Sequence, residues 1–543
     1  MTPDHRFDIA VIGASLGGVV AAWRACEAGH RVLLAAEHPW LGGQLTAQGV
    51  PPDEHAAIEH GGACASYRDF REAMRAHYRA QPGFEDHTSL TRGLNPGDGW
   101  VSNLCIEPAV AASRFETMLA AHEAAGRLVL LRGVEPVSVE RQGRLLAGVR
   151  LRDARGHVHE VHARFFVDAT DTGALLPLAG LAYRLGKESR AEFDEPDAPA
   201  QADVLDQQPV THVVALEWQR APGSPLAPPP SYGWWRERTV PHHAHRLFSL
   251  FLPGRQGSSV AFPLTGHGAT LDLWRYRRVR AAHQWPGRQP APTELTLVNW
   301  GQNDYAVQPL LDGPLPQHDV QAAARELTQA LVHWLQVEAP REDGGRGWPE
   351  WQPAPGVLGT ADGLAQQVYV RESRRMLTLR TLTQRDIALE QPEAALDPVH
   401  LEDSVGVAWY NLDIHPTCRS GHGTNARVRP FTLPLGAFVA RDCDNLLPGC
   451  KNIGVTHLAN ACTRVHPVEW LVGEVAAHLA GACLRGGHTP RTLQADASAR
   501  RALMDDLDRS GVPRRWEPAW LAGLRPHGAA PSPAPAPSPT TPA

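Results

Sequence analysis

The opening segment of the chain constrains its fold more than any other stretch. A short apolar run at residues 9–12 predicts a buried parallel strand, and a glycine-rich turn follows it directly. Residues 19–28 then have the pattern of a helix that ends at Gly29, and residues 31–35 form a second apolar strand. A strand, a tight turn, a helix and a strand within about thirty residues are the context that a dinucleotide-binding glycine motif requires. The sequence therefore predicts an α/β fold with a Rossmann-like domain and a parallel sheet.

The glycine turn supplies the candidate phosphate-binding residues. Gly13 permits the tight turn, and Gly18 permits close packing of the helix on the strand, with Gly17 beside it. The unpaired N–H groups at the start of the helix can bind a pyrophosphate. Ser15 replaces the middle glycine of the usual G-x-G-x-x-G pattern, so we expect the phosphates to have slightly less room. Glu37 ends the second strand, where its carboxylate can accept hydrogen bonds from a ribose 2′-hydroxyl.

A second glycine turn, Leu-Gly-Gly-Gln at residues 41–44, follows Glu37 closely. Enzymes that bind NAD usually continue here into a helix, whereas this turn lets the backbone follow the far side of a larger dinucleotide. It therefore favours FAD over NAD. The alternative is a plain βαβ unit without a ligand, but it does not explain why the strand, the turn, the helix and the acid occur at the spacing of a nucleotide site.

Composition excludes several classes of function. The net charge is −6, from 52 basic and 58 acidic side chains, which argues against a surface that coats nucleic acid or a polybasic membrane surface. The sequence has no run of about eighteen apolar residues, so we expect no membrane-spanning helix. The N-terminus lacks a signal-peptide pattern, and we expect a cytoplasmic protein. The eight cysteines include no C-x-x-C pair, so we expect neither a disulfide framework nor a metal site.

The strand and helix patterns divide the chain into parts. A third parallel strand is predicted at 128–131. Three short strands with hairpin turns at Gly143 and Gly156 then predict a β-meander, and residues 165–168 predict a further buried strand. Pro-rich segments and most of the tryptophans then indicate an inserted α+β domain. We predict five parts: the first part of the FAD-binding domain (1–190), the inserted substrate domain (191–398), the returning part of the FAD-binding domain (399–490), a C-terminal helical segment (491–526) and a disordered Pro/Ala/Ser tail (527–543).

Four separated stretches carry a resemblance to one family: residues 12–18 with 41–44, 166–173, 371–375, and 403–469. Their most specific pieces are Arg-Glu-Ser-Arg-Arg at 371–375, Leu-Asp-Ile-His-Pro at 412–416 and Asn-Ile-Gly-Val-Thr-His at 452–457. The chain resembles the FAD-dependent oxidoreductases of the glutathione-reductase-like fold, in the branch with a single dinucleotide site. The resemblance covers most of the chain and implies bound FAD, but it says nothing about the substrate.

The resemblance also implies roles for individual residues. The residues that would face the phosphates and the ribityl chain are Gly42, Gly43 and Gln44. The small-residue turn over the ADP half would be Ala169, Thr170 and Asp171. Asp171 stands where the family usually has glycine. A helix that begins at Pro467 would point at the pyrimidine edge of the flavin, where its dipole stabilises negative charge.

The substrate side has four candidate residues. His415 lies close to Asp413, a pairing that could fix its tautomer and make it a general base. The alternative is a loop histidine bonded to the backbone. Arg464 precedes the flavin-facing helix and would add a positive charge there. Arg374, with Arg375, could hold a substrate carboxylate, or the two could pair with nearby acids on a solvated face.

The chain shows only one dinucleotide motif, which bears on the reaction. We therefore predict that a small organic substrate, with acids among the candidates, is oxidised or desaturated by hydride transfer to flavin N5. A separate acceptor would reoxidise the flavin. The alternatives are a reductase or hydroxylase that an external donor feeds, and a flavin-binding redox or partner protein without catalysis. Cys64 could attach flavin covalently, although a plain buried thiol is the simpler interpretation. We expect no nucleic-acid partner and no membrane insertion, and the sequence does not indicate an oligomeric state.

Overall fold

The computed structural model describes residues 6–89, 93–253, 258–266, 271–389, 396–522 and 524, and the predicted tail over 527–543 lies outside these residues. The strands are β1 (Arg6–Ile12), β2 (Val32–Ala36), β3 (Leu128–Arg132), β4 (Val134–Gln142), β5 (Leu145–Asp153), β6 (Val158–Asp168), β7 (Tyr183–Arg184), β8 (Val210–Thr211), β9 (Val214–Trp218), β10 (Phe251–Pro253), β11 (Ser259–Ala261), β12 (Arg278–Arg280), β13 (Glu294–Val298), β14 (Asp304–Tyr305), β15 (Trp351–Pro353), β16 (Arg375–Met376), β17 (Ser404–Ala408), β18 (Leu412–Ile414), β19 (Thr424–Ala426), β20 (Phe431–Pro434) and β21 (Leu446–Pro448). The helices are α1 (Leu16–Glu27), α2 (Ala65–Arg79), α3 (Pro108–Ala124), α4 (Leu175–Leu178), α5 (Arg190–Phe193), α6 (Tyr232–Glu237), α7 (Leu273–Tyr276), α8 (Gln317–Val337), α9 (Gln384–Ile387), α10 (His457–Thr463), α11 (His466–Gly486), α12 (Pro490–Ala495), α13 (Ala497–Arg509) and α14 (Pro518–Leu521).

A seven-stranded sheet built on β1 organises the first part of the chain. Its parallel portion runs β3-β2-β1-β6, and β21 adds a parallel strand beside the end of β6. The meander β4-β5-β6 is antiparallel. The predicted parallel sheet and β-meander are therefore confirmed. The third strand of the predicted meander and the strand predicted at 165–168 form the single strand β6. It is continuous because its first half pairs with β5 while its second half pairs with β1.

Helix α11 runs through the centre of the molecule beside α1. The residues from His466 to Gly481 are all buried, which is typical of a helix that packs on every side. Pro467 lies in its first turn, as the sequence predicts, and Gly487 ends it in the left-handed conformation. A Cβ atom on Gly473 would lie 2.3 Å from the carbonyl oxygen of Gly17, so only glycine permits this close crossing. The crossing brings the start of α11 to the glycine turn before α1.

The inserted part has an architecture of its own. Strands β12, β13, β9 and β15 form a four-stranded antiparallel sheet, and α8 contributes to a second apolar core drawn from residues 185–370. This agrees with the predicted α+β character, while the five predicted domain boundaries stay predictions. In the part of the chain that the structure describes, no helix is both long enough and apolar enough to cross a membrane.

Candidate active site

Seven of the twelve predicted nucleotide-binding residues meet at the ends of the parallel strands, whereas Gly17, Gly18, Gly42, Gln44 and Pro467 do not line the groove there. One groove is lined by the glycine turn after β1, the end of β2 and the turn after β6, and its lining includes Gly13, Ser15, Glu37, Gly43, Ala169, Thr170 and Asp171. The backbone N–H of Gly42 donates to the carbonyl oxygen of Ala14 at 2.9 Å, which joins the second glycine turn to the first. Ligands of open parallel sheets bind at this edge, outside the carboxyl ends of the strands.

The glycine turn leaves no room for a side chain at its first position. Gly13 has a φ of +104°, and a Cβ atom there would lie 2.3 Å from the carbonyl carbon of Ala169. Ser15, which replaces the middle glycine, is the N-cap of α1, and its Oγ accepts from the N–H of Gly18 at 3.2 Å. The N-cap preference of serine is the sequence signal that indicates this second role.

The turn after β6 is held by one buried carboxyl group. Asp168 accepts hydrogen bonds from the N–H and hydroxyl of Thr170, at 3.1 and 2.7 Å, and from the N–H of Leu175 at 3.1 Å. Burial raises the pKa of Asp168 to about 6, although these hydrogen bonds oppose the shift. Asp168 therefore fixes the backbone on which Thr170 and Asp171 face the groove.

Sequence reasoning missed a buried cation beside the groove. The Nζ of Lys451 lies 2.7 Å from Oδ1 of Asp171 and 3.8 Å from Oε2 of Glu469. Burial lowers the pKa of Lys451, but the neighbouring acids outweigh burial, so the net shift is upward and the amine stays charged. The available signal was its position two residues beyond Gly449, at the end of a parallel strand. Asp171, where the family usually has glycine, is the partner of this cation.

Several buried amide atoms near the second glycine turn lack partners. Gln44 and Gln48 are both fully buried. Nε2 of Gln44 donates to Glu469 at 2.6 Å, but Oε1 of Gln44 and both polar atoms of Gln48 find no hydrogen-bond partner among the described residues. An unsatisfied buried polar group costs about 1–3 kcal/mol. A ligand rich in donors and acceptors would satisfy these atoms, so the residues present fit FAD.

A cavity of about 660 Å³ lies between the inserted part and the returning segment. Its volume falls in the range of small-molecule sites. The segment 43–53 connects the two sites, since Gly43 lines the groove and Asp53 lines the cavity. His466, at the start of α11, holds this segment, because its Nδ1 accepts from the N–H of Asp53 at 2.9 Å and its Nε2 lies 3.2 Å from the carbonyl oxygen of Val50. Burial lowers the pKa of His466 to about 3, so the ring is neutral.

Three of the four predicted substrate-side residues, His415, Asp413 and Arg464, line this cavity, and His415 lies between two acids. Nδ1 of His415 lies 2.5 Å from Oδ2 of Asp304, and Nε2 lies 3.5 Å from Oδ2 of Asp413. Burial and Arg371 lower the pKa of His415, but the two carboxylates outweigh them and the net shift is upward. The predicted neighbour Asp413 is present, but the closer partner, Asp304, comes from the inserted part and was missed.

Two arginines hold these carboxylates. Arg464 donates to the hydroxyl of Tyr369 at 2.7 Å and to the carbonyl oxygen and carboxylate of Asp413 at 2.8 and 3.2 Å. Arg371 donates to Oδ1 of Asp304 at 2.9 Å. Since only Val465 separates Arg464 from α11, the acid–histidine cluster is attached to the helix that the sequence assigns to the flavin.

Two other candidate residues, Arg374 and Cys64, have contacts that point to a structural role. Arg374 donates to the carbonyl oxygen of Thr172 at 3.0 Å and to Asp312 at 2.7 Å, so it joins the turn after β6 to the inserted part. Arg374 therefore forms an acid pair, but it is buried and does not lie on the solvated face of the alternative, and its position gives no support to a grip on substrate. Cys64 is buried in the main apolar core, and burial raises the pKa of its thiol well above the usual value. A buried, protonated thiol favours the plain structural interpretation.

Comparisons with known proteins place this site in a family. The profile of the family described as FAD dependent oxidoreductase matches residues 8–504. No curated protein matches the chain significantly.

Three solved structures show partial similarity. OxyS anhydrotetracycline hydroxylase from Streptomyces rimosus is 14% identical, with 93% of this chain and 68% of that chain covered and a TM-score of 0.35. A geranylgeranyl bacteriochlorophyll reductase-like protein from Thermoplasma acidophilum is 10% identical, with 93% and 83% covered and a TM-score of 0.33. A myxobacterial chondrochloren halogenase is 21% identical, with 41% and 45% covered and a TM-score of 0.22, so the chain spans less than half of its length. These low TM-scores carry no conclusion about activity. Because the family profile covers most of the 543 residues, the chain belongs to the FAD-dependent oxidoreductase family, and FAD is its cofactor.

Proposed function

We propose that this enzyme oxidises or desaturates a small organic substrate bound in the 660 Å³ cavity, with His415 as the proton acceptor. The substrate would lose a hydride and a proton, which together carry the two electrons and two hydrogens of the oxidation. Bound FAD would supply the hydride acceptor at N5, and a separate oxidant would later remove the electrons. The acid–histidine–acid cluster at the cavity carries this proposal.

The cluster suits proton transfer because it stabilises the charged imidazole. Neutral His415 can accept a proton, and the carboxylates of Asp304 and Asp413 then stabilise the imidazolium. Asp304 is held by Arg371, and Asp413 by Arg464, so neither carboxylate is free to turn away. The base is therefore oriented before substrate binds.

The experiment is an anaerobic screen of organic substrates for loss of the flavin absorption band. His415→Gln should slow the reduction by about 10²- to 10⁴-fold, because the proton acceptor is lost, while FAD content stays unchanged. The matched control is His318→Gln, since the side chain of His318 is 80% exposed on α8. Equal rates in the wild type and His415→Gln would contradict the role of His415.

The same assay separates the alternative reaction direction. Rapid reduction by NADH or NADPH in the absence of any organic substrate would favour a reductase or a hydroxylase that an external donor feeds. Slow reduction by both nucleotides, with rapid reduction by an organic substrate, is the result that our proposal predicts.

A further inference from the structure

The unpartnered polar atoms of the cavity are all hydrogen-bond donors. Among the described residues that line it, the buried side-chain atoms without a hydrogen-bond partner are nitrogens of Trp235, Arg277, Asn299, Trp300, Arg371 and Arg464. Each of these nitrogens carries hydrogen, because they belong to indole, guanidinium and amide NH₂ groups. A ligand could satisfy these nitrogens only where its acceptor oxygens reach them.

Arg277 differs from the other two arginines of this group. Arg371 and Arg464 donate to carboxylates at 2.9 and 3.2 Å. The closest carboxylate oxygen to Arg277, Oδ1 of Asp53, lies 3.9 Å from its Nη1, which is beyond hydrogen-bonding distance. Arg277 is only 8% exposed, and within the described part of the chain its Nε and Nη1 have no partner. A buried guanidinium with unused donors is costly unless an anion binds it.

Arg277 lies at the polar end of the cavity, and a backbone hydrogen bond holds its main chain in place. Its carbonyl oxygen accepts from the N–H of Leu297 at 3.1 Å, next to β12. Arg277 and Arg464 share Asp53, Tyr369 and Tyr410 as electrostatic neighbours, so the two guanidinium groups lie at the same end. The backbone N–H of Asp53 donates a hydrogen bond to His466 at the start of α11.

One wall of the cavity is apolar, while polar side chains such as Arg238, His422 and Asn425 line other parts of it. The apolar wall comes from the core of the inserted part and includes Leu247, Leu252, Phe262 and Leu273. The cavity therefore combines a cationic, donor-rich end with an apolar wall, and it has room for a ligand of moderate size.

We infer that the substrate is a carboxylic acid with an apolar body, and that Arg277 binds its carboxylate. A planar guanidinium can donate two parallel hydrogen bonds to a carboxylate. Arg371 and Arg464 already donate to carboxylates, whereas Arg277 makes no hydrogen bond to a carboxylate of the described residues, so its donors are available to a substrate carboxylate. This inference rests on the proposed function, because it takes the cavity as the substrate site.

The test uses the FAD-loaded enzyme and three probes of equal chain length: octanoate, octanamide and octyl phosphate. Binding is measured as the change in the flavin absorption spectrum during titration. We expect octanoate to bind roughly 10- to 100-fold more tightly than octanamide. Arg277→Gln should remove this preference by weakening octanoate alone. Equal binding of octanoate and octanamide, or an unchanged preference in Arg277→Gln, would overturn the inference, and tighter binding of octyl phosphate would overturn the choice of a carboxylate.

The controls separate a lost contact from a damaged fold. Arg280→Gln removes a guanidinium that pairs with Glu107 in the same stretch of chain, and it should leave octanoate binding unchanged. Arg277→Lys is the second variant, for use if Arg277→Gln does not fold. It keeps the charge but not the two parallel donors, so it should retain part of the preference for octanoate. Carboxylate binding without flavin reduction by any acid would support this inference and count against the proposed oxidation. Flavin reduction by a neutral substrate that depends on His415, without a preference for carboxylates, would support the proposed oxidation and overturn this inference.

Discussion

The nucleotide groove and the substrate cavity are built in different ways. The groove is formed by the backbone of short turns, and Gly13 shows why, because its neighbour Ala169 leaves no space for a Cβ atom. The cavity is formed by long side chains that meet from distant parts of the chain, and His415 and Asp304 are 111 residues apart. A site made of turns leaves a local sequence pattern, whereas a site made of distant side chains does not. This difference explains which parts of the function the sequence indicates.

The largest expected effect breaks the groove at its tightest point. Gly13→Ala places a methyl group 2.3 Å from the Ala169 backbone at a φ of +104°, so we expect the purified protein to lose its FAD. The matched control is Gly29→Ala, at a φ of +86°, where the structure places no heavy atom of the described residues within 4 Å of an added Cβ. The control should keep FAD and lose only about 1 kcal/mol of stability. FAD content by absorption distinguishes the two, and full FAD in Gly13→Ala would contradict the backbone account.

The two lysines of the chain allow a matched test of the charge beside the groove. Lys451→Met should weaken FAD binding by roughly 10- to 100-fold, because it removes a buried cation next to the phosphate-binding turns and leaves Asp171 unpaired. Lys187→Met breaks a similar buried pair with Asp206, 2.8 Å away, and should lower stability without changing FAD affinity. FAD affinity is measured by titration of the FAD-free protein. Equal losses of affinity in both variants would indicate a general structural effect.

A smaller effect sharpens the account of the cavity. Asp413→Asn removes one of the two carboxylates that raise the pKa of His415, so that pKa should fall. Since the base acts when deprotonated, the midpoint of the pH dependence of flavin reduction should move to lower pH. Asp312→Asn, which removes the partner of Arg374, should leave the pH dependence in place. An unchanged midpoint in Asp413→Asn would show that ionisation of His415 does not control the rate of flavin reduction.

The smallest effect concerns the one departure from the glycine pattern. Ser15→Ala removes the N-cap of α1 and should cost about 1 kcal/mol of unfolding free energy in a urea titration. Ser15→Gly should cost only a few tenths of a kcal/mol and keep FAD affinity, because glycine is tolerated as an N-cap. A large loss of FAD in Ser15→Gly would show that the hydroxyl itself binds the cofactor.

The sequence predicts the elements better than their meeting points. Most strands and helices of the first part follow from apolar periodicity and glycine turns. The division of β6 is wrong, because pairing on both of its edges makes it continuous, and α1 begins at Leu16, three residues before the predicted start. Lys451 and Arg277 give little local signal, since one charged residue beside a strand has the same pattern whether it faces solvent or a buried acid. Arg374 shows the opposite difficulty, because an arginine beside acids suits either a substrate contact or an internal pair. The assignment to the glutathione-reductase-like branch stays a prediction.

The most direct test of the proposed function is the pH dependence of flavin reduction in the FAD-loaded enzyme. Wild type and His415→Gln are mixed anaerobically with a substrate from the screen, from about pH 5 to pH 9, and the flavin band is followed. The raised pKa of His415 predicts a wild-type rate that rises with pH through a midpoint above the usual value of 6.5, and a slow rate without that midpoint in His415→Gln. An identical midpoint in both proteins would contradict the assignment of His415 as the base of this oxidoreductase.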